Sequence, residues 1–277
     1  MSNKLTKIVC YLVLILLSFM CLFSFYLLLV NSTRVHSQIQ KGFSFLLGEN
    51  FKANLKNVLA NGELPVVKGI INSLTDSAAA AALATYFSVL TAFSIHTYNF
   101  RFKKLAFTFI MMIMMIPPQV SALGFVRWMA KLGLMDSLIP LFLPSIASPI
   151  VFYFMLSYMQ SNLPKSMIEA ARMDGASEFR IFNQIVLPVM KPAIAVQAIF
   201  TFVSAWNNYF IPSLIIRSAD KKTLPILVAQ LRSADYLKFD MGQVYMLIFL
   251  AIIPIIIIYI LLSKYIVRGV AVGSVKE

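Results

Sequence analysis

The chain is poor in the residue types from which most enzyme sites are built. Among 277 residues it has 11 acidic side chains, two histidines and two cysteines. His36 and His96 lie far apart and have no acidic residue near them in sequence, so no Ser/His/Asp set can be proposed. Cys10 and Cys21 share one apolar stretch and have neither metal-ligand spacing nor the pattern of a disulfide framework. We therefore expect no catalytic residue and no metal site.

A phosphate-binding loop is also missing. None of the ten glycines begins a G-x-x-x-x-G-K-[ST] pattern, in which backbone N–H groups cradle nucleotide phosphates. The net charge is +13, but no run of five like charges occurs, and the basic residues fall between apolar stretches, as they do beside membrane helices. We therefore expect no nucleic-acid partner and no cofactor bound by this chain.

Apolar residues make up 60% of the chain and charged residues 13%, which excludes a typical soluble domain. A helix needs roughly 20 apolar residues to cross a bilayer. The first apolar stretch is too long for a signal peptide, so we interpret it as an uncleaved span. We predict an all-α, polytopic membrane protein with six transmembrane helices, at Ile8–Val30, Asn72–Ile95, Leu105–Val126, Leu138–Ser157, Ala193–Ile216 and Val244–Ile266.

The prediction divides the chain after residue 71. Residues 1–71 hold the first span and a polar loop with short helical pieces, and residues 72–277 hold a core of five spans. Asp76 is the one acid within a span, and we interpret it as a helix cap or an interfacial residue, with a functional role as the alternative. Pro117 and Pro118 predict a kink or break in the third span.

One segment, Leu163–Pro192, is too polar to be a membrane helix and too well patterned to be a slack loop. Pro164 suits the first position of a helix, and Glu169 is spaced to pair with Lys165 or Arg172 along that helix. Gly175 is placed to end it, and Ser177 to cap a second short helix. Pro188 and Pro192 close the segment, in this interpretation. Its apolar face needs a partner, or else lies on lipid headgroups.

The segment resembles the EAA signature of permease subunits of binding-protein-dependent ABC importers, in the form found in carbohydrate importers of the maltose type. The matching residues stand at the family's spacing: Glu169, Ala170, Ala171, Asp174, Gly175, Leu187 and Pro188. Three further stretches also resemble the family: Met115–Val120, Ala205–Tyr209 and Tyr265–Gly269. The resemblance implies the MetI-like core of type I ABC importer permeases, with residues 160–192 as a cytoplasmic coupling loop.

The resemblance also implies partners. A second, homologous permease subunit would complete a heterodimer, and two copies of an ATP-binding subunit would bind ATP and Mg²⁺. An extracellular solute-binding protein would deliver the solute, and lipid would surround the spans. The loop around Glu169–Gly175 would transmit the motion of the ATP-binding subunits to the fourth and fifth spans. The chain itself would be a transport subunit and not an enzyme.

The solute is predicted to be a sugar or oligosaccharide. Trp206, Asn207, Asn208 and Tyr209 offer aromatic and amide groups at mid-membrane depth for solute contact, although such groups also bond across helices. The alternatives are glycerol-3-phosphate or another small polar solute, and an ion-coupled secondary transporter. No Arg or Lys falls within the predicted fourth or fifth span, which disfavours a phosphate-bearing solute. The lack of coupling acids and of an inverted repeat disfavours the secondary transporter.

Charge does not settle the orientation. Of the 24 lysines and arginines, twelve fall on the side of the N-terminus and twelve on the other side, so the positive-inside rule gives almost no preference. The family resemblance implies a multi-pass protein of the bacterial plasma (inner) membrane with both termini in the cytoplasm.

Overall fold

The computed structural model describes residues 4–60, 62, 64–233 and 240–273, and no strand occurs among them. The described residues form fourteen α-helical segments, joined in places by 3₁₀ and π turns. They are α1 Lys4–Ser32, α2 His36–Gln40, α3 Phe51–Leu59, α4 Val66–Thr97, α5 Lys103–Ile113, α6 Pro118–Lys131, α7 Ile139–Phe142, α8 Pro149–Asn162, α9 Lys165–Met173, α10 Glu178–Ile181, α11 Leu187–Trp206, α12 Phe210–Ile215, α13 Leu224–Ser233 and α14 Met241–Gly273.

The membrane spans follow the predicted apolar stretches. In the part of the chain that the structure describes, five helical stretches are long and apolar enough to cross a bilayer, and the number is six when the bent pair α5–α6 is counted as one span. The all-α class and the six-span prediction are therefore confirmed. The second span begins earlier than predicted, at Val66, because the helix continues back into the polar segment that precedes Asn72. The two short helices α2 and α3 confirm the helical pieces of the first loop.

The third span breaks at its prolines. Helix α5 ends at Ile113, helix α6 begins at Pro118, and the two axes differ by 99°. Pro117 is extended, with φ −61° and ψ 131°, and Pro118 occupies the first turn of α6, where a missing N–H leaves no hydrogen bond unmade. The predicted kink or break is confirmed, and it is a full change of direction.

The fifth span differs most from its prediction. The second short helix does not end at Pro188 or Pro192, since the chain is helical from Glu178 to Trp206. A π turn at Phe182–Val186 precedes α11, Pro188 lies in the first turn of that helix, and Pro192 lies inside it. A π turn changes which carbonyl each N–H bonds, so the helix passes the prolines without stopping. The predicted closure at these prolines is wrong.

The fifth span also ends earlier than predicted. Helix α11 ends at Trp206, and Asn207 is its C-cap. The short helix α12 follows, whereas the prediction continued one span to Ile216. Asn side chains compete for backbone hydrogen bonds and favour helix ends over helix interiors. Helix α13 lies between the predicted fifth and sixth spans, where no helix is predicted.

Two compact units divide the chain: Met1–Val67 with Leu227–Pro254, and Lys68–Ile226 with Ile255–Glu277. The predicted division after residue 71 stays a prediction. In the first unit, the amide nitrogen of Asn54 donates to the carbonyl oxygens of Ser32 and Arg34, at 2.9 Å each. The Met241 N–H donates to His36 Nδ1 at 3.1 Å. These bonds hold the first loop against the start of α14.

The second unit contains the larger apolar core. It joins the later half of α4 to α8, α9 and the helical stretch that begins at Glu178. Its most deeply buried side chains come from these four elements and include Val89, Met155, Ile168, Ile181 and Met190. The polar segment Leu163–Pro192 is therefore packed onto the spans through its own apolar residues.

Asp76 is not a helix cap. It lies in the interior of α4, because that helix begins at Val66, and its side chain is 3% exposed. One carboxylate oxygen has no hydrogen-bond partner among the described residues. The capping interpretation of Asp76 is wrong for this reason.

Candidate coupling and translocation sites

The connector, defined as residues 163–181, is fixed to α4 at its first residue. Leu163 is buried, and its carbonyl oxygen lies 3.1 Å from His96 Nε2 at the end of α4. Because a carbonyl oxygen accepts, Nε2 is the protonated ring nitrogen in this contact. Pro164 adopts an extended conformation, with ψ 137°, and helix α9 starts one residue later than predicted.

Helix α9 ends in a full Schellman motif. The Ala176 N–H donates to the Ala171 carbonyl at 3.0 Å, and the Gly175 N–H donates to the Arg172 carbonyl at 3.0 Å. Gly175 has φ +77°, the left-handed conformation that glycine adopts without a steric penalty. The Arg180 N–H then donates to the Ser177 hydroxyl at 3.3 Å, which caps α10. The predicted roles of Gly175 and Ser177 in the turn are confirmed.

The ion pairs expected along α9 are replaced by one across the turn. Arg172 Nε lies 2.6 Å from Glu178 Oε1, and the Arg172 terminal nitrogen lies 3.2 Å from Glu178 Oε2. The Tyr98 hydroxyl also donates to Glu178, and the Arg172 guanidinium stacks 5.5 Å from the Tyr98 ring centroid. Burial, and then the hydrogen bond to Glu178, raise the pKa of Tyr98. The expected pairing of Glu169 with Lys165 or Arg172 is wrong, because Arg172 turns to Glu178.

The connector presents an uncovered apolar surface beside the Arg172–Glu178 ion pair. Met173 is 89% exposed and Phe179 is 75% exposed, and Met167 on α9 is also exposed. Ile168 and Ala171, on the opposite side of α9, are buried in the core. Glu169, Ala170 and Asp174 are exposed on this surface, and Gly175 and Pro188 are exposed as well, so five of the seven signature residues are accessible to another molecule.

The remaining signature residues have structural positions. Ala171 is buried, and Leu187 packs against the core of the second unit. Gly175 forms the turn, and Pro188 lies in the first turn of α11. The predicted set of seven is therefore brought together at one end of the spans, partly as a surface and partly as its support.

A second site lies among the spans of the same unit. A cavity of about 390 Å³ opens between the start of α8, the segment before it and the later half of α11. The lining contains no charged residue, and half of its twelve residues carry a hydroxyl or an amide: Ser145, Ser148, Gln197, Thr201, Ser204 and Asn208. Such a lining offers hydrogen-bond donors and acceptors without an ionic preference.

The structure separates the four predicted solute-contact residues. Asn208 lines the cavity, and its side-chain oxygen accepts from the Ile211 N–H at 3.4 Å. Trp206 is 2% exposed and stacks on Phe202, with ring centroids 5.7 Å apart. Asn207 and Tyr209 are exposed at the break between α11 and α12 and do not line the cavity. Sequence reasoning missed the hydroxyl groups of the lining, although Thr201, Ser204 and Asn208 recur at helical spacing.

On the other side of the bend in the third span, Asp136 joins two loops. Its carboxylate accepts from the N–H groups of Arg217 and Ser218 at 2.9 Å each, and Lys221 Nζ lies 3.2 Å from it. The hydrogen bonds from Ser218 and Arg217 hold the pKa of Asp136 well below its usual value. Asp136 has φ 56°, which Asp tolerates better than most residues.

The connector carries an exposed apolar face and is joined to spans that surround an uncharged polar cavity. This arrangement is expected of a transport subunit that is driven by a partner. Residues 84–272 match the family described as "Binding-protein-dependent transport system inner membrane component". The chain belongs to this family, and it is therefore a membrane-embedded component of an ABC importer.

Three curated relatives carry transport names. The chain is 32% identical to the arabinooligosaccharides transport system permease protein AraQ of Bacillus subtilis, over 94% of this chain and 92% of the relative. It is 29% identical to the lactose transport system permease protein LacG of Rhizobium radiobacter, over 100% and 98%. It is 28% identical to the sn-glycerol-3-phosphate transport system permease protein UgpE of Yersinia pestis, over 95% of each.

A solved structure has the same fold. It is a chain of a bacterial ABC transporter involved in the import of the acidic polysaccharide alginate. The TM-score is 0.82 at 23% identity, and the match covers 95% of this chain and 97% of that chain. The similarity confirms the importer-permease fold that the resemblance implied.

Proposed function

We propose that this chain is a permease subunit that passes a neutral sugar or oligosaccharide across the membrane. The observation that carries the proposal is the uncharged, hydroxyl- and amide-rich cavity at Gln197, Thr201 and Asn208. Sugars bind through many hydrogen bonds to such groups. The names of two relatives, for arabinooligosaccharides and lactose, support the same class of solute.

The glycerol-3-phosphate relative favours a second candidate, since it shares 28% identity with this chain. A phosphate-bearing solute would be held best by an arginine or lysine, and the cavity lining has none. The neutral sugar is therefore the better candidate. An ion-coupled transporter is a poorer one, because it needs coupling acids in the spans and the chain belongs to a binding-protein-dependent family.

The connector is proposed to dock on the ATP-binding subunit. Its exposed side carries Met167, Met173 and Phe179 beside Glu169 and Asp174. Methionine and phenylalanine in an exposed group mark an interaction site. The Schellman turn and the Arg172–Glu178 pair make the connector stiff, as transmission of motion requires.

The proposed assembly has further parts. A second, homologous permease would complete the path as a heterodimer, two ATP-binding subunits would bind ATP and Mg²⁺, and a solute-binding protein would deliver the solute. This chain would bind no nucleotide and catalyse no reaction. The N-terminus, the C-terminus and the connector would face the cytoplasm, which follows from docking of the connector on a cytoplasmic ATPase.

Two measurements test the proposal separately. The tagged chain is purified from native membrane, and the co-purifying proteins are identified by mass spectrometry, with Met173→Asp compared with Leu59→Asp as a control for an exposed apolar residue away from the connector. We expect Met173→Asp to lose the ATP-binding subunit and Leu59→Asp to retain it. Equal retention would contradict docking through the connector.

The co-purified binding protein is then screened against neutral sugars and glycerol-3-phosphate by calorimetry. Uptake of the ligand found is measured in cells with Gln197→Leu, which removes an amide from the cavity. We expect a neutral sugar to bind and Gln197→Leu to reduce its uptake. Binding of glycerol-3-phosphate alone would establish the alternative solute without affecting the docking result.

A further inference from the structure

A second cavity of the Lys68–Ile226 unit lies where several spans end. Its volume is about 750 Å³. The lining comes from the end of α4, the start of α5, the end of α8 and the first residue of α9. It consists of Ile95, His96, Asn99, Lys103, Lys104, Phe107, Thr108, Leu156, Gln160 and Lys165. Since α4 and α8 end here and α5 begins here, the cavity lies at the level where the membrane meets water.

The charge of this cavity has one sign. Lys103, Lys104 and Lys165 line it, and no acidic residue does. Lys103 Nζ donates to the Tyr98 carbonyl oxygen at 3.0 Å, which leaves its positive charge unneutralised. Lys104 and Lys165 form no ion pair with any acidic residue in the described part of the chain. Three like charges around one cavity repel each other unless an anion lies among them.

The cavity also has an apolar part. Ile95, Phe107 and Leu156 each lie inside a span, closer to the membrane interior than the lysines that line the same cavity. Asn99, Thr108 and Gln160 add neutral hydrogen-bonding groups. A charged rim above an apolar wall matches a molecule that has an anionic head and a hydrocarbon chain.

We propose that this cavity binds an anionic phospholipid, with the phosphate between Lys103, Lys104 and Lys165 and an acyl chain against Phe107 and Leu156. Basic pockets between membrane helices at the headgroup level are suited to such lipids. A free phosphate would use the lysines but not the apolar wall. An acidic protein segment would equally leave that wall uncovered.

The position of Lys165 gives the lipid a structural effect. Lys165 is the first residue of α9, and Lys103 and Lys104 begin α5. A phosphate held by all three would tie the start of the connector to the start of the third span. This inference does not depend on the identity of the transported solute.

The test is lipid binding by the purified assembly, measured by native mass spectrometry and by thermal unfolding in detergent. The probes are phosphatidylglycerol, phosphatidylcholine with the same acyl chains, and inorganic phosphate. The test variant is Lys103→Gln/Lys104→Gln/Lys165→Gln. The control is Lys41→Gln/Lys52→Gln/Lys56→Gln, which removes the same charge from exposed positions elsewhere.

We expect phosphatidylglycerol to bind and to raise the melting temperature more than phosphatidylcholine does. The test variant should bind it roughly a hundredfold more weakly, since each of the three lysines near a lipid surface adds about 1 kcal/mol, while the control keeps the wild-type preference. If the triple variant does not fold, the exposed Lys104→Gln variant is compared with Lys52→Gln, and a weaker preference in Lys104→Gln alone supports the proposal.

Four results would overturn it. One is equal binding of the two lipids by the wild type, and another is equal loss in the test and control variants. The third is stabilisation by inorganic phosphate that equals that by phosphatidylglycerol, which would define a free-anion site. Loss of the ATP-binding subunit from the test variant with the lipid preference intact would assign the lysines to a protein contact and also refute the lipid site.

Discussion

Arg172 and Glu178 form a two-point ion pair across the turn at Gly175, with the shorter nitrogen–oxygen distance at 2.6 Å. The pair joins the last turn of α9 to the first residue of the helical stretch that becomes the fifth span. Tyr98, which follows the end of α4, donates to the same carboxylate. One acid thus connects the connector to two spans.

Removal of this pair should impair transport more than stability. Both side chains are partly exposed, and exposed pairs contribute about 0.2–1 kcal/mol. We expect Arg172→Gln to leave the melting temperature almost unchanged and to reduce uptake about fivefold or more, as for a lost coupling interaction. Arg180→Gln is the control, because Arg180 bonds Gln184 within its own helix. Equal uptake in the two variants, measured with labelled solute, would refute the role of the pair.

Gly175 should be replaceable by asparagine but not by alanine. Its φ of +77° costs an ordinary L-residue about 1–2 kcal/mol, whereas asparagine tolerates this conformation. Added Cβ atoms meet nothing within 4 Å at Gly175 or at Gly133, which has φ +69°. We expect Gly175→Ala to lose uptake and Gly133→Ala, with the same backbone strain elsewhere, to keep it. Loss of uptake in both variants would show a general stability effect.

The loop contact of Asp136 should make stability depend on pH. The folded pKa of Asp136 lies below its unfolded value, which is about 4. The carboxylate therefore stabilises the fold fully above about pH 4, and this stabilisation is lost as the pH falls through the lower folded pKa. We expect Asp136→Asn to melt below the wild type at pH 7, with a difference that narrows under acid conditions.

Asp220→Asn is the matched control for that experiment, since Asp220 lies exposed near the same contact and its carboxylate has no partner among the described residues. It should melt like the wild type at both pH values. A difference between Asp136→Asn and the wild type that stays constant with pH would mean that the charge of Asp136 is not involved.

The two adjacent asparagines at the end of α11 should differ in their effect on solute uptake. Asn208 lines the cavity and Asn207 does not. A lost hydrogen bond in a buried site costs about 1–3 kcal/mol, so we expect Asn208→Ala to raise the KM for uptake about tenfold. Asn207→Ala should leave KM near the wild-type value. The reverse order would place the solute contact outside the cavity.

Much of the fold follows directly from local sequence. The apolar stretches predict the spans. Gly175 and Ser177 predict the turn, because helix capping depends on local backbone conformation. The ion pair of Arg172 was missed because its partner is six residues away, beyond a turn, and no helical spacing indicates that contact. The lining of the cavity at Gln197 and Asn208 was only partly predicted, since its wall is assembled from α11 and from the segment before α8.

Prolines were the least reliable guide. Pro118 starts a helix and coincides with a 99° change of direction, yet Pro192 lies inside a helix that continues. A proline is compatible with a helix start and with a continuing helix, because the result depends on whether the neighbouring backbone groups find hydrogen-bond partners. Such satisfaction is a property of the packed protein and cannot be obtained from the local sequence.

The π turn at Phe182–Val186 has a mechanical meaning. A π turn holds one residue more than an α turn, and each residue of an α-helix advances the side chains by about 100° around the axis. This single turn therefore sets the angular phase between the connector and the fifth span. Conversion of the turn to α-helix without loss of a residue would rotate the connector about the helix axis by about 100° relative to the fifth span. Deletion of one residue here would instead leave an ordinary α turn, with the connector and the fifth span at about their present angle.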